Sequence, residues 1–452
     1  INNLHYEKLQ DGTVKCIEDE IPFEVPEGWA WCKLNDIYNF IDYRGATPTK
    51  ITNGIPLVTA KNVKSGYIDY TIDDYISEEE FKERQQRGIS KKGDILFTTE
   101  APLGNAALAD MEKFSAGQRL ITFQQYGSKN ELINYVMLMF ILSDFFQQQL
   151  YVNKTGSTVA GIKAAILKTL WIPVPPYNEQ LRISNTLKSA INLIDSISKN
   201  KEILSTSISN TKSKILDLAI RGKIVPQDPN DEPASVLLER IRAEKEELIK
   251  QGKIKRDKKE SVIFKGDDNS YYGIHLPDSW NWASLREIAL SISDGSHNPP
   301  PNNGSGIPLL SAANINDNSI LMNEISRWIT NEEWKIENQR TNIEVGDVLL
   351  TIVGSIGRSA VVQNNNHFAL QRSVAVIKPC LINPLYLMHI VQSPQIQKWL
   401  TDNSKGTAQK GIYLNALSLM IIPIPPLAEQ ARIVEHIHIA YKHLDLISNA
   451  LL

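Results

Sequence analysis

The chain repeats itself, and that repeat limits what it can fold into more than any other feature. PEGWAWCKL at 26–34 returns as PDSWNWASL at 277–285, and GIPLVTAKNV at 54–63 returns as GIPLLSAANI at 306–315. GDILFT at 93–98 returns as GDVLLT at 346–351, LGNAAL at 103–108 as IGRSAV at 356–361, and Gln118-Arg119 as Gln371-Arg372. GSTVAGIKAAILKTLWIPVPPYNEQLRI at 156–183 returns as GTAQKGIYLNALSLMIIPIPPLAEQARI at 406–433. The offset stays between 250 and 253, so the 452 residues are two copies of one unit.

Each copy changes character at a Pro-Pro step. Before it, residues 21–175 and 272–425 carry short β-rich runs, Gly/Pro turns and one or two helical stretches, the pattern of an α+β domain. The run YVMLMFIL at 135–142 reads as a buried helix. After it, the apolar period becomes helical. Alternate steps of four and three from Ile183 reach Leu187, Ala190, Ile194, Ile197, Lys201, Leu204, Ile208, Thr211, Ile215 and Leu218, and nine of the eleven positions are apolar. The same walk from Ile433 reaches Ile437, Ala440, Leu444, Ile447 and Leu451, all apolar. A 3.5-residue period is the seam of a coiled coil, and a helical bundle within one domain is the alternative.

The spacing predicts one helix from about Asn178 to about Arg221, stopped by Gly222 and Pro226, which at 1.5 Å per residue is a rod of roughly 65 Å. A second is predicted from Ala234 to about Gln251, with Pro233 suited to its first turn. The domain layout is then an N-terminal extension at 1–20, a globular domain at 21–175, a helical spacer at 176–255, a second globular domain with its lead-in linker at 256–425, and a distal helix at 426–452. The fold expectation is α+β: two similar domains separated by long antiparallel coiled-coil helices, with a pseudo-two-fold internal repeat. Two heads related in that way suit a target with its own two-fold symmetry, and duplex DNA is the obvious one.

Composition excludes more than it selects. Formal net charge is −3, so any DNA contact must rest on local basic surface such as Lys82, Arg84, Arg87, Lys91 and Lys92, a cluster that also reads as a solvated face. No apolar stretch approaches the roughly 20 residues that span a bilayer, and no membrane role is expected. Cys16, Cys32 and Cys380 form no pairable framework and fit a reducing cytoplasm.

Catalytic motifs fail on chemistry. Val174-Pro175-Pro176-Tyr177 resembles the (Asn/Asp)-Pro-Pro-aromatic motif of amino-methyltransferases, but Val174 cannot accept from a target amino group, and the second copy reads Ile424-Pro425-Pro426-Leu427. Asn298-Pro299-Pro300 has the amide but is followed by Pro301. The GxxxxG spacings at Gly156/Gly161 and Gly406/Gly411 are followed by Ile162 and Ile412, not the Lys-Ser/Thr of a phosphate-binding loop. His436, His438 and His443 lack the i, i+4 spacing of a zinc helix, so no metal site is expected. No Ser/His/Asp or Cys/His set recurs between the copies.

Polar positions present in both copies either hold the fold or serve a shared task. Asn62 and Asn314 could bond a turn backbone or a base edge, and Arg119 and Arg372 could reach phosphates or form structural ion pairs. Lys61 and Arg358 join them as DNA-facing candidates. The loops carrying Lys154, Ser157 and Thr158, and Lys405, Thr407, Gln409 and Lys410, combine small residues with Lys and Ser/Thr, the chemistry of phosphate contact. Segments that differ between copies should carry specificity: Arg44 and Thr47 in the first, His297 in the second.

These residues resemble the specificity subunits of type I restriction-modification systems. The resemblance spans nearly the whole chain and rests on IP-(V/I)-PP…EQ-(L/A)-RI at 172–183 and 422–433, on the two GD-(I/V)-L-(F/L)-T segments, and on LDLAIRGKIVPQDPNDEPASVLLERIRAEKEELI at 216–249. It implies two target-recognition domains reading the halves of a bipartite site in double-stranded DNA. It further implies helices that dock two adenine-N6 methyltransferase subunits, and two translocating restriction subunits that join them. The implied S-adenosylmethionine, ATP and Mg2+ belong to those partners, with no cofactor and no catalytic residue in this chain. The period assigns Ile183, Leu187, Ile194, Leu204, Ile208, Ile215, Ile433, Ile437, Leu444 and Leu451 to the partner-helix seam, and the resemblance implies that the helices carrying them serve as spacer and docking surface. Relative to the family pattern the chain lacks an initial helical segment and ends about 50 residues short of a full second repeat, so a trimmed chain is expected. A two-headed coiled-coil adaptor, or a fragment of a fused enzyme, are the competing readings.

Overall fold

The computed structural model describes residues 4–43, 47–126, 132–156, 160–256, 270–406 and 410–451. The chain forms two compact units, Ile1–Ile197 and Ser198–Leu452. Each is built on the same strand order, as two copies of one sequence pattern require.

In the first unit an antiparallel four-stranded sheet runs Tyr38–Asp42, Leu120–Gln125, Ile95–Thr98, Ala106–Leu108. In the second the order is Ala289–Asp294, Val374–Pro379, Val348–Thr351, Ser359–Val361. A three-stranded sheet accompanies each: Tyr75–Ile76, Ile55–Val58 and Ser115–Ala116, then Trp328–Ile329, Ile307–Leu310 and Ala369–Leu370. The central strands Ile95–Thr98 and Val348–Thr351 are buried at every residue, which is why GDILFT and GDVLLT read as continuous apolar runs.

The repeated motifs are structural devices. Gly93 and Gly346 sit at φ +88° and +95°, and the aspartate after each closes the turn that leads into the central strand. Asp94 accepts from the Lys91 backbone N–H at 2.8 Å and from Gln124 at 2.9 Å; Asp347 accepts from the Glu344 N–H and from Lys378, each at 2.8 Å. Burial pushes both carboxyls above the usual range, against these bonds. In the EQ pair, the glutamine ties each helix start to its own domain. Gln180 accepts from the Ile133 N–H and donates to Pro175 O; Gln430 accepts from the Asn383 N–H and donates to Pro425 O.

The greasy run is a helix, Asn134–Leu142, with Val136, Met137, Leu138 and Ile141 buried. The extension at the start forms a hairpin, Tyr6–Lys8 with Val14–Cys16, held to the domain by Glu7 and Lys33 at 2.8 Å.

The long helix spans Tyr177–Ile220, 44 residues, and the central helix spans Ala234–Lys250, each within a residue or so of the reading from periodicity. Pro233 is the N-cap rather than part of the first turn. Gly222 ends the long helix at φ +64°, where a Cβ would lie 2.6 Å from Pro277 Cγ. The Lys223 N–H donates back to Leu218 O at 2.9 Å, the closure of a helix C-terminus.

Within the second unit the distal helix, Leu427–Asn449, runs antiparallel to the end of the long helix. Lys212 meets Asp445 and takes the Tyr441 hydroxyl on its carbonyl, while Leu216 and Ile220 share a core with Ile433 and Ile437. The segment after the long helix then meets the start of the distal one, with Gln227 on Glu429 and Asp231 on Arg432. Ile208, Ile433 and Ile437 are buried and Ile215, Leu444 and Leu451 half-buried in the second unit, while in the first Leu187 is half-buried and Ile183 is half-buried against its own domain's core. The seam is not closed along its whole length: Ile194 is 60% exposed and Leu204 39%. Their period places them on the apolar stripe, but burial needs a partner helix alongside, which the turns 191–207 lack among the described residues.

Candidate nucleic-acid interface

In each unit one small backbone frame brings together the end of the central strand, the repeated arginine and the glycine-containing loop. In the first, the Thr99 N–H donates to Arg119 O at 3.1 Å and the Ile162 N–H to Thr99 O at 3.0 Å, while Thr155 and Gly161 exchange two backbone bonds of 2.8 and 3.0 Å. In the second, the Ile352 N–H donates to Ser373 O and the Ile412 N–H to Ile352 O, both at 2.9 Å; Lys405 and Gly411 exchange two bonds of 2.8 Å. The loop packs close where it crosses the strand end: a Cβ on Gly161 would sit 3.4 Å from Thr99 O, and one on Gly411 would sit 3.3 Å from Val353 Cγ2.

The side chains mounted on this frame differ. Arg119 Nε lies 3.1 Å from Glu100 Oε1, with both side chains about half exposed. The residue matching Glu100 is Val353, and Arg372 has no ion pair among the described residues. Thr155 corresponds to Lys405, and Lys163 to Tyr413.

In the second unit the frame borders a cleft of about 620 Å³ lined by Asp294, His297, Arg340, Arg372, Lys405 and Tyr413. Asp294 is its organising group. One carboxylate oxygen meets His297 Nε2 at 2.8 Å, the other meets the Arg340 guanidinium, and Arg340 Nε donates to Asp294 O at 2.8 Å. Arg340, Arg372 and Lys405 outnumber the one carboxylate in the lining, so the cleft is positively charged at neutral pH although the chain is not. Such a surface attracts phosphate, and arginine held in plane presents the fork that matches a guanine edge.

Of the residues expected to face DNA, Lys154, Lys405 and Lys410 lie on the loops of these frames, with Lys154 Nζ 3.5 Å from the centre of the Tyr151 ring. His297 and Arg372 line the cleft. Arg119 faces outward beside Glu100, and Thr47 donates to Gln118 at 2.9 Å next to it. Lys61 and Arg358 are exposed but line neither frame. Arg44, Ser157, Thr158, Thr407 and Gln409 lie outside the described residues.

Asn62 and Asn314 are corrections. Both are 3% exposed and spend their amides on a turn. Asn62 accepts from Thr59 N–H and Oγ and donates to Asp69 O and Ile72 O; Asn314 accepts from Ser311 and donates to Glu324 O. Burial removes both from a DNA-contacting surface. Of the basic cluster, Arg84 leaves the surface: it is 6% exposed, stacked on Tyr43 and bonded to Ser115 Oγ and Ala116 O, whereas Lys82, Arg87, Lys91 and Lys92 are exposed and Lys92 pairs with Glu112. The reading missed Arg340, although Gln339-Arg340 repeats Gln86-Arg87 before the two GD segments.

Among the described residues no group of three or more His, Cys, Asp or Glu side chains could hold a metal ion, and no helix is long and apolar enough to cross a membrane.

Two copies of an α+β domain, each followed by a long helix and carrying different side chains on one frame, define a two-headed recognition protein. The sequence pattern of the type I restriction modification DNA specificity domain matches residues 26–205 and 277–451, and the chain belongs to that family. It is 23% identical over 432 residues to the type I restriction enzyme EcoBI specificity subunit of Escherichia coli, covering 94% of this chain and 81% of that one. It is 26% identical over 516 residues to the EcoEI specificity subunit of the same organism, covering 98% and 83%. In fold it matches the HsdS subunit from Thermoanaerobacter tengcongensis, with TM-score 0.53, 18% identity, and coverage of 96% of this chain and 94% of that one. The chain is therefore a non-catalytic specificity subunit that recognises DNA sequence, and the adaptor reading is set aside.

Proposed function

We propose that each unit reads one half of a bipartite site in double-stranded DNA, and that the helices dock two methyltransferase subunits that methylate adenine N6 within it. Two restriction subunits join that core for cleavage. S-adenosylmethionine, ATP and Mg2+ are used by the partners, none by this chain, and the assembly works in the cytoplasm. One observation carries the reading: a single backbone frame occurs in both units but presents Glu100 and Lys163 in one and Val353 and Tyr413 in the other. A common scaffold with divergent outward side chains is how one docking geometry reads two sequences.

Co-expression with the methyltransferase subunit encoded beside it, followed by mapping of N6-methyladenine across host DNA, tests this directly. A bipartite motif methylated on both strands and lost when this chain is deleted is the expected result. An assembled complex with no motif would overturn it.

A further inference from the structure

The two frames are built from matching sequence segments, so what differs between them at one place is informative. That place is the side chain next to the shared arginine. Glu100 and Val353 each follow the central strand by two residues, and each forms an isolated antiparallel bridge to the loop glycine, Glu100 to Gly161 and Val353 to Gly411. Arg119 and Arg372 each follow a repeated glutamine. Glu100 and Val353 stand at equivalent places, but the arginines beside them do not: the strand end bonds Arg119 O in the first unit and Ser373 O, one residue past Arg372, in the second, and the electrostatics differ with them. Glu100 Oε1 holds Arg119 Nε at 3.1 Å, which occupies part of the guanidinium, and both side chains stay about half exposed. Val353 can accept nothing, and Arg372 lines the basic cleft with its donors uncommitted to any carboxylate among the described residues.

Base edges respond to this difference in opposite ways. Guanine offers two acceptors, O6 and N7, to an arginine fork, whereas cytosine offers an amino donor that a carboxylate accepts. We propose that residue 100 in the first unit and residue 353 in the second set base choice beside the shared arginine. Arg372 takes a guanine edge in its half-site, and Glu100, braced by Arg119, takes a cytosine amino group in the other. This rests on the bipartite-recognition reading above and names bases within it.

Swapping the two side chains separates this proposal from that reading. The full chain is co-expressed with its methyltransferase subunit as wild type, Val353→Glu, Glu100→Val and Glu100→Gln, and the methylated motif is mapped for each. Wild type should give a bipartite motif with a guanine required in one half and a cytosine in the other. Val353→Glu should remove the guanine requirement, lowering modification of the original site by roughly 10- to 100-fold while leaving the other half-site unchanged. Glu100→Val should shift the cytosine position toward guanine. Glu100→Gln keeps size and shape, so it guards against misfolding, and it should relax the cytosine choice. A wild-type complex with no bipartite motif sinks the underlying reading. A bipartite motif that stays the same at every position in Val353→Glu and Glu100→Gln overturns the assignment of these two residues and leaves that reading standing.

Discussion

Trp280 donates its indole N–H to the Glu429 carboxylate at 2.9 Å, inside a core where the two residues are 1% and 0% exposed. Their matches in the first unit do not pair: Trp29 Nε1 is buried without a hydrogen-bond partner, and Glu179 is only half-buried. The second carboxylate oxygen of Glu429 takes the Gln227 amide, so the pair fastens the segment after the long helix to the domain. Burial pushes the Glu429 carboxyl up, against the hydrogen bonds from Trp280 and Gln227.

Removing this carboxylate leaves the buried Trp280 indole N–H unpaired and releases the Gln227 amide. Glu429→Ala is expected to lower the stability of the second unit by about 2–4 kcal/mol, whereas Glu179→Ala costs under about 1 kcal/mol. Urea unfolding of the two variants checks this, and equal losses would refute the asymmetry.

A second expectation concerns pH. His389 is 7% exposed, packs edge-on to Tyr441, and leaves Nδ1 buried without a partner; burial pushes its pKa down to about 4. The unfolded chain takes up this proton near pH 6.5 and the folded one only near 4. Folding is therefore penalised as pH falls from about 6.5 towards 4, by up to roughly 3 kcal/mol at the low end. Asp217 acts lower: burial opposes ionisation, but bonds from Lys214, Arg221 and Gln395 outweigh it and bring the carboxyl down to about 2, so its contribution is lost between about pH 3.8 and 2. In melting curves at pH 7 and pH 5, His389→Leu should lose less stability on acidification than wild type. An identical loss would assign the acid sensitivity elsewhere.

The turn asparagines give a test that separates structure from recognition. Asn62 makes four hydrogen bonds while 3% exposed, so Asn62→Ala should cost about 2–4 kcal/mol in stability. DNA affinity of the protein that remains folded should be unchanged. A stable variant with weakened binding would return Asn62 to the interface.

These cases mark what a sequence discloses. The repeat disclosed that both units share one α+β fold, and the 3.5-residue stripe located the long helix to within a residue, because period and offset are local properties of the chain. Asn62 was not legible: a turn-holding amide and a base-reading amide are the same letter, and only burial separates them. Arg84 looked like surface charge but stacks inside on Tyr43, which lies 41 positions earlier. The contrast between Glu100 and Val353 stayed hidden for a related reason. Strand pairing brings residues 99–100, 119 and 161 together, and no window of sequence holds all of them.

Lys405 and Lys410 are both exposed, and neither forms an ion pair among the described residues. Lys405 lines the cleft beside Arg372, and the Lys410 carbonyl accepts from the Gly354 N–H at 3.1 Å, which fixes the loop against the strand end. A lysine at a phosphate releases a counterion, and each such contact adds about 0.9 to the slope of log affinity against log salt. Lys405→Ala with Lys410→Ala should therefore weaken binding of the assembled complex to specific and random duplexes alike and lower the salt slope by roughly 1–2. Sequence preference should stay as it was, because a phosphate contact carries no base information. Binding measured at several salt concentrations on both kinds of duplex checks this, and an unchanged slope would remove the loop from the DNA interface.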